Sequence, residues 1–192
     1  MSELRDQDVK LEVLSSELAY EGAVWNVRSD TVRYGDGEMT RQYVDHPGAA
    51  AVVAIDDERR VVLIQQYRHP ITQRDWEIPA GLLDVAGEPP LETAKRELSE
   101  EVDLAAEHWQ HLVSMRTTPG GSNEVVHIFL ARGLSAVEND FEREHEESDM
   151  LVERIELSEV VDAVLDGRVR NGILAVGALA AAEVLRREAD TA

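Results

Sequence analysis

Between Gly81 and Leu104 the chain reads G-L-L-D-V-A-G-E-P-P-L-E-T-A-K-R-E-L-S-E-E-V-D-L. A glycine loop with two prolines leads into a segment whose apolar residues, Leu91, Ala94, Leu98 and Val102, recur at helical spacing. That stripe predicts a helix from about Pro90 to Val102, pinned to a core along one side. Pro89 or Pro90 suits the first turn, where the N–H that proline lacks has no intrahelical partner. Glu97, Glu100 and Glu101 fall within about one turn, so Glu97 faces both of the others. Like charges at that spacing cost about 0.2–0.5 kcal/mol per pair on a free helix. A cation between them explains the concentration: hard divalent ions such as Mg2+ take carboxylate oxygens and commonly hold substrate phosphates too. A purely structural account makes Glu92, Arg96 and Glu100 a solvated i,i+4 ladder. It explains Arg96 but leaves Glu97 and Glu101 facing each other with no cation.

The same residues resemble the Nudix box, G-x5-E-x7-R-E-U-x-E-E-x-G-U with U apolar. Gly81, Glu88, Arg96, Glu97, Leu98, Glu100, Glu101 and Leu104 stand at pattern positions. Two departures are visible. Six residues separate Gly81 from Glu88, so the loop is one longer, and Asp103 stands where the family has glycine. A glycine at a helix end commonly serves φ > 0. Asp tolerates the left-handed region better than most residues, so Asp103 is expected there.

Charge restricts what such a chain can bind. The net charge is −20, from 39 acidic and 19 basic residues. No basic stripe is left for nucleic acid, and the overall field repels a small anion. A phosphate ligand therefore requires bound metal and a few placed arginines. The absence of cysteine excludes disulfides, thiolate catalysis and zinc–sulfur sites. The opening M-S-E-L-R-D-Q-D-V-K has no apolar signal-peptide core. The most apolar run, Ile173 to Leu185, is too short to span a bilayer. A cytoplasmic location with no membrane partner is the expectation. At 192 residues, one well-cored domain with an appendage is expected, not two independent ones.

Residues 1–45 read as an N-terminal β extension and 46–192 as the main domain. Ala23–Arg33 and Met39–Val44 are strand-like around the turn Tyr34-Gly35-Asp36-Gly37. Ala49–Ile55, Arg60–Tyr67, a short Asp75–Ala80, His111–Thr117, Val125–Ala131 and Leu151–Glu156 are the further strands expected. Ser158 is the expected N-cap of a helix through Leu165, and Asn171–Arg187 an alanine-rich last helix. Mixed strands with helices argue for a layered α/β sandwich. The Nudix resemblance implies that family's α/β/α fold with a mixed sheet.

Flanking features are similar to the ADP-ribose pyrophosphatase branch of that family: Gln66-Tyr67-Arg68, Trp76-Glu77-Ile78-Pro79-Ala80-Gly81, Thr118-Pro119-Gly120 and an acidic loop with Glu146-Glu147. The resemblance implies hydrolysis of ADP-ribose to AMP and ribose 5-phosphate. It implies Mg2+, with Mn2+ as a substitute, on Glu97 and Glu101, with Glu100 able to join and the Ala80 carbonyl completing the set. Arg68 is implied at the diphosphate, since guanidinium binds phosphate oxygens through paired bonds. Arg41 is implied at the ligand from the N-terminal hairpin, and Gly120 near the terminal ribose. Trp25 is the candidate adenine platform. Glu147, or its neighbour Glu146, is implied as the general base. A homodimer joined through the N-terminal extension is also implied. Other nucleotide-linked diphosphates, such as nucleotide sugars, dinucleoside polyphosphates or NADH, remain alternative substrates. A non-catalytic Nudix-like sensor would show eroded box carboxylates and a fused DNA-binding domain, and neither is seen. The histidines form no metal-ligand spacing.

Overall fold

The computed structural model describes residues 3–138 and 149–191. Glu146 and Glu147 therefore lie outside the described residues. The chain divides into two compact units: residues up to His46 with Thr118–Glu124, and Pro47–Thr117 with the residues from Val125 onward.

In the first unit, β1 (Val13–Tyr20), β2 (Asn26–Tyr34) and β3 (Gly37–Asp45) form an antiparallel sheet in sequence order. Tyr34 pairs with Gly37 across a tight turn in which Gly35 has φ of 60°, a value glycine accepts without strain. The 118–124 segment is tied to the end of β3: Val44 N–H donates to the Gly121 carbonyl at 2.9 Å, and Asn123 N–H to the Val44 carbonyl at 3.2 Å. Val13, Leu18, Tyr20, Trp25 and Tyr34 are exposed in this unit. β1 lies within the expected β extension but ahead of Ala23, where its first individual strand is expected.

The second unit is a three-layer sandwich. β7 (Ala80–Leu82), β4 (Ala49–Ala54), β9 (Val125–Ala136) and β8 (Leu104–Arg116) form a mixed sheet in that order, with β4 and β9 parallel and the other pairs antiparallel. β10 (Leu151–Glu156), β5 (Arg60–Arg68) and β6 (Gln73–Glu77) form a second, antiparallel sheet. Successive side chains on a strand point to opposite faces. Ala51, Val53, Val61 and Leu63 accordingly join one core, shared with α2 (Leu157–Leu165) and α3 (Gly172–Thr191). Ala50, Val52, Val62 and Ile64 join the other, shared with α1 (Pro90–Val102). Covered on both faces, β4 is apolar throughout. None of the described helices is long and apolar enough to cross a membrane.

Several local expectations need correction. Asp75–Ala80 is not one strand: it divides into β6 and β7, which belong to different sheets. β8 begins at Leu104, seven residues before the expected start at His111. Glu156, not Ser158, precedes α2, and no side chain caps that helix. At α3 the cap is Asn171, whose side-chain oxygen accepts the Leu174 N–H at 3.0 Å.

Candidate active site

α1 begins at Pro90, behind Pro89 in extended geometry, and ends at Asp103 with φ of 56° and ψ of 38°. Asp103 thus takes the left-handed conformation expected of it, and its N–H donates to the Ser99 carbonyl at 3.0 Å. Thr93, Ala94, Leu98 and Val102 are buried on the sheet side. Glu101, four residues beyond Glu97, is also buried, at 4% exposure, where a charge must have a partner. One partner is backbone: the Ala80 N–H donates to Glu101 Oε2 at 2.8 Å. The family resemblance implies the Ala80 carbonyl as a metal ligand; the amide of the same residue is the group in contact with Glu101.

Gly81 is constrained by the same helix. A Cβ at this position would fall on the Glu97 carboxylate, so only glycine lets that carboxylate lie against β7. This close approach, unlike a turn or a positive φ, explains the glycine that opens the motif.

Arg96 gathers the remaining acids. Its Nη1 donates to Glu97 Oε1 at 2.6 Å and to Glu100 Oε2 at 2.9 Å, and its Nη2 to Glu88 Oε2 at 3.2 Å. Fully buried Thr93 adds a hydroxyl bond to Glu88 at 2.8 Å. Contrary to the expectation from sequence, Glu97 does not lack a cation, because Arg96 reaches it as well as Glu100. Burial works against the Arg96 charge, but bonds to Glu88 and the charges of Glu97 and Glu100 outweigh it and raise its pKa. Hydrogen bonds from Arg96, then Thr93, hold the Glu88 carboxyl below its usual range.

Arg68 ends β5 and forks onto Glu77, with Nε and Nη2 each 2.7 Å from a carboxylate oxygen. Glu77 is buried beside Gln66, whose amide lies 3.4 Å from it. Ile64, the register partner of Glu77, packs in the α1 core. Glu77 and Arg68 therefore stand on the α1 side of their sheet. Sequence reasoning missed Glu77 and Thr93 as site residues. A lone acid beside Ile78 in a strand was the available signal for Glu77; Thr93 had none.

The remaining candidates belong to the first unit. Arg41 is exposed on β3 and donates to its neighbour's carbonyl, Thr40 O, at 2.8 Å. Trp25 is exposed just ahead of β2. Gly120 sits in a turn where Gly121 N–H donates to the Thr118 carbonyl at 2.8 Å, and an added Cβ would meet nothing.

In this three-layer fold a short glycine-containing strand seats the carboxylates of an acid-rich helix. The particular family follows from comparison. The NUDIX domain profile matches residues 45–171, and the chain belongs to the Nudix family of hydrolases. An ADP-ribose pyrophosphatase of Mycobacterium tuberculosis is 48% identical over 170 residues, covering 88% of this chain and 82% of that protein. A methanol dehydrogenase activator of Bacillus methanolicus is 35% identical over 178 residues, covering 91% and 95%. A crystal structure of an ADP compounds hydrolase superposes with a TM-score of 0.79 at 20% identity, covering 96% of this chain and 98% of that one, a likeness of fold.

Membership of this family implies a divalent cation, and the donors present suit one. Glu97 and Glu101 offer hard carboxylate oxygens beside the backbone of β7, with Glu100 adjoining. Among the described residues no three acidic or histidine side chains are placed to hold a metal ion as they stand. Arg96 and the Ala80 amide hold the carboxylates instead.

Proposed function

We propose that this chain hydrolyses the diphosphate of ADP-ribose, releasing AMP and ribose 5-phosphate, with Mg2+ as its cation and Mn2+ as a substitute. The observation that carries the reading is the seating of Glu97 against Gly81 and of Glu101 on the Ala80 amide. These seats hold two hard ligands beside one strand. The similarity to the mycobacterial ADP-ribose pyrophosphatase over most of the chain supports the choice of substrate. Glu97 and Glu101 are the ligands, with Glu100 and the Ala80 carbonyl able to join. When bound, a divalent ion supplies charge neutralisation to the diphosphate oxygens.

The chain's own residues perform the rest. Arg68, whose plane is fixed by the Glu77 fork, is the residue for the phosphate oxygens. Water attacks one phosphorus, the bridging P–O bond breaks, and the water's proton passes to Glu147, with Glu146 as the neighbouring alternative. Trp25 is proposed to stack on adenine, with Arg41 and Gly120 contacting the ligand. The exposed apolar side chains of the first unit support a homodimer formed through residues 1–45. A monomeric mass at micromolar concentration would withdraw the dimer, and with it any cross-subunit role for Arg41.

The test of substrate is AMP release from a panel of nucleotide diphosphates with Mg2+ or Mn2+. Faster turnover of a nucleotide sugar, a dinucleoside polyphosphate or NADH would reassign the substrate. The test of the base is Glu147→Gln, expected to lower turnover by about 10²–10⁴-fold while ADP-ribose still binds. Should Glu146→Gln show that loss instead, the role moves by one residue; two active variants place the base elsewhere.

A further inference from the structure

Four residues lie in one row across the mixed sheet. Gly81 on β7 pairs with Ala50 on β4, Ala50 with His127 on β9, and His127 with Ser114 on β8. Register partners project to the same face. For the first two that face is the α1 side, since Glu97 occupies the space beside Gly81 and Ala50 belongs to the α1 core. His127 and Ser114 therefore project to the α1 side of the sheet, the side on which Glu97 lies against Gly81. At the usual strand spacing they stand about 10 and 14 Å across the sheet from Gly81.

A bulge adds a third residue. His111 pairs with Phe129, but Val113 pairs with Ile128, so one extra residue intervenes. Phe129 packs in the α1 core and Ile128 in the opposite one. The bulge thus places His111 and Ser114 on one face, which plain alternation would not do; bulges recur where a site needs a side chain re-aimed. The His111 ring lies edge-on to Phe129 at 5.5 Å. Ser114 Oγ is 2.9 Å from His111 Nε2 and 2.8 Å from His127 Nδ1. The helix-covered part of this face is apolar. The polar trio is exposed or half-buried.

The chemistry of the trio selects a ligand class. A hydroxyl has a single proton, so Ser114 donates to one ring and accepts an N–H from the other. The two outer ring nitrogens are then one donor and one acceptor, a pattern matched by adjacent hydroxyl groups. Burial, and then the neighbouring His111, lower the His127 pKa. A His127 ring biased towards its neutral form suits an uncharged polyol better than a phosphate.

We propose that His111, Ser114 and His127 form a subsite for the vicinal diol of a ribose in the nucleotide substrate. This rests on the ADP-ribose reading, because the diphosphate must lie at the Glu97 end of the row. The test compares ADP-ribose with two analogues, one lacking a hydroxyl of the terminal ribose and one lacking a hydroxyl of the adenosine ribose. Ser114→Ala and His127→Ala are expected to raise KM for ADP-ribose about tenfold with kcat little changed, the scale of one lost hydrogen bond. The analogue that lacks the contacted hydroxyl should show the same KM with wild type and variants, which identifies the ribose concerned. His127→Gln, which restores an amide near the ring position, should recover part of the loss and serves if Ser114→Ala folds poorly. Folded variants that keep wild-type discrimination among the three compounds, or that lose kcat equally on all three, overturn the subsite alone. A wild-type protein inert towards all three overturns the proposed activity, and the subsite with it.

Discussion

On β4, Ala51 and Val53 join the core shared with α2 and α3, whereas Ala50 and Val52, one residue away, join the core shared with α1. The first face is closed by apolar contact. Gly177 brings α3 so near that an added Cβ would lie 2.9 Å from Val53 and 3.2 Å from Ile78. The second face has an apolar strip of Ala94, Leu98 and Val102, but charged groups surround it. Each of those groups needs a directional partner: Glu101 the Ala80 amide, Glu88 both Thr93 and Arg96, and Arg68 the Glu77 fork. Apolar burial is non-directional and tolerates volume-conserving exchange. Directional bonds do not, so the α1 face, on which the proposed chemistry rests, is the less tolerant of exchange, while the α3 face is held by apolar packing.

The largest expected effect breaks the α3 face. Leu174 is fully buried there, and Leu174→Ala is expected to cost about 2–5 kcal/mol in denaturant unfolding. Turnover per folded molecule should be unchanged; a loss of turnover without a loss of stability would show that the faces do not divide the work in this way. Gly81→Ala attacks the other face. The methyl group must displace the Glu97 carboxylate, and a misplacement of about 1 Å can cost about 10²-fold in turnover. Near-normal turnover in that variant would remove Glu97 from the site.

Acid should separate the faces more gently. The Glu88 carboxyl is held below its ordinary value by Arg96 and Thr93, so the unfolded chain binds that proton more readily than the folded one. The contribution of Glu88 is complete above the ordinary carboxylate range and disappears as pH falls through the depressed value. Hydrogen-exchange protection of α1 is expected to fall before that of α3 on acidification, and Glu88→Gln should abolish the lag. Simultaneous loss in wild type would refute the distinction. The smallest effect is at the helix end, where Asp103→Gly should stabilise by less than about 1 kcal/mol in thermal unfolding, because glycine holds φ of 56° without a Cβ penalty. A destabilised variant would mean that the Asp103 side chain contributes more than its backbone strain costs.

The features legible from sequence were those whose cause is local. The apolar spacing from Leu91 to Val102 placed α1, and a residue tolerant of φ > 0 after the last turn marked its end. The acids of the motif, Glu97 and Glu101, lie on the side of that helix that meets β7. By itself the sequence determined that this chain folds as a helix-covered mixed sheet with a Nudix box.

Tertiary structure decided which groups meet. Nothing in the spacing of Asp75–Ala80 showed that β6 and β7 would join different sheets. Likewise, nothing local tied Arg68 to Glu77, Glu101 to the Ala80 amide, or Glu97 to the space beside Gly81. The one-residue bulge that sets His111 beside Ser114 was equally hidden. Periodicity reports which face of an element is apolar, but register and cross-strand contact depend on partners far away in the chain. Only the assembled sheets supply those partners.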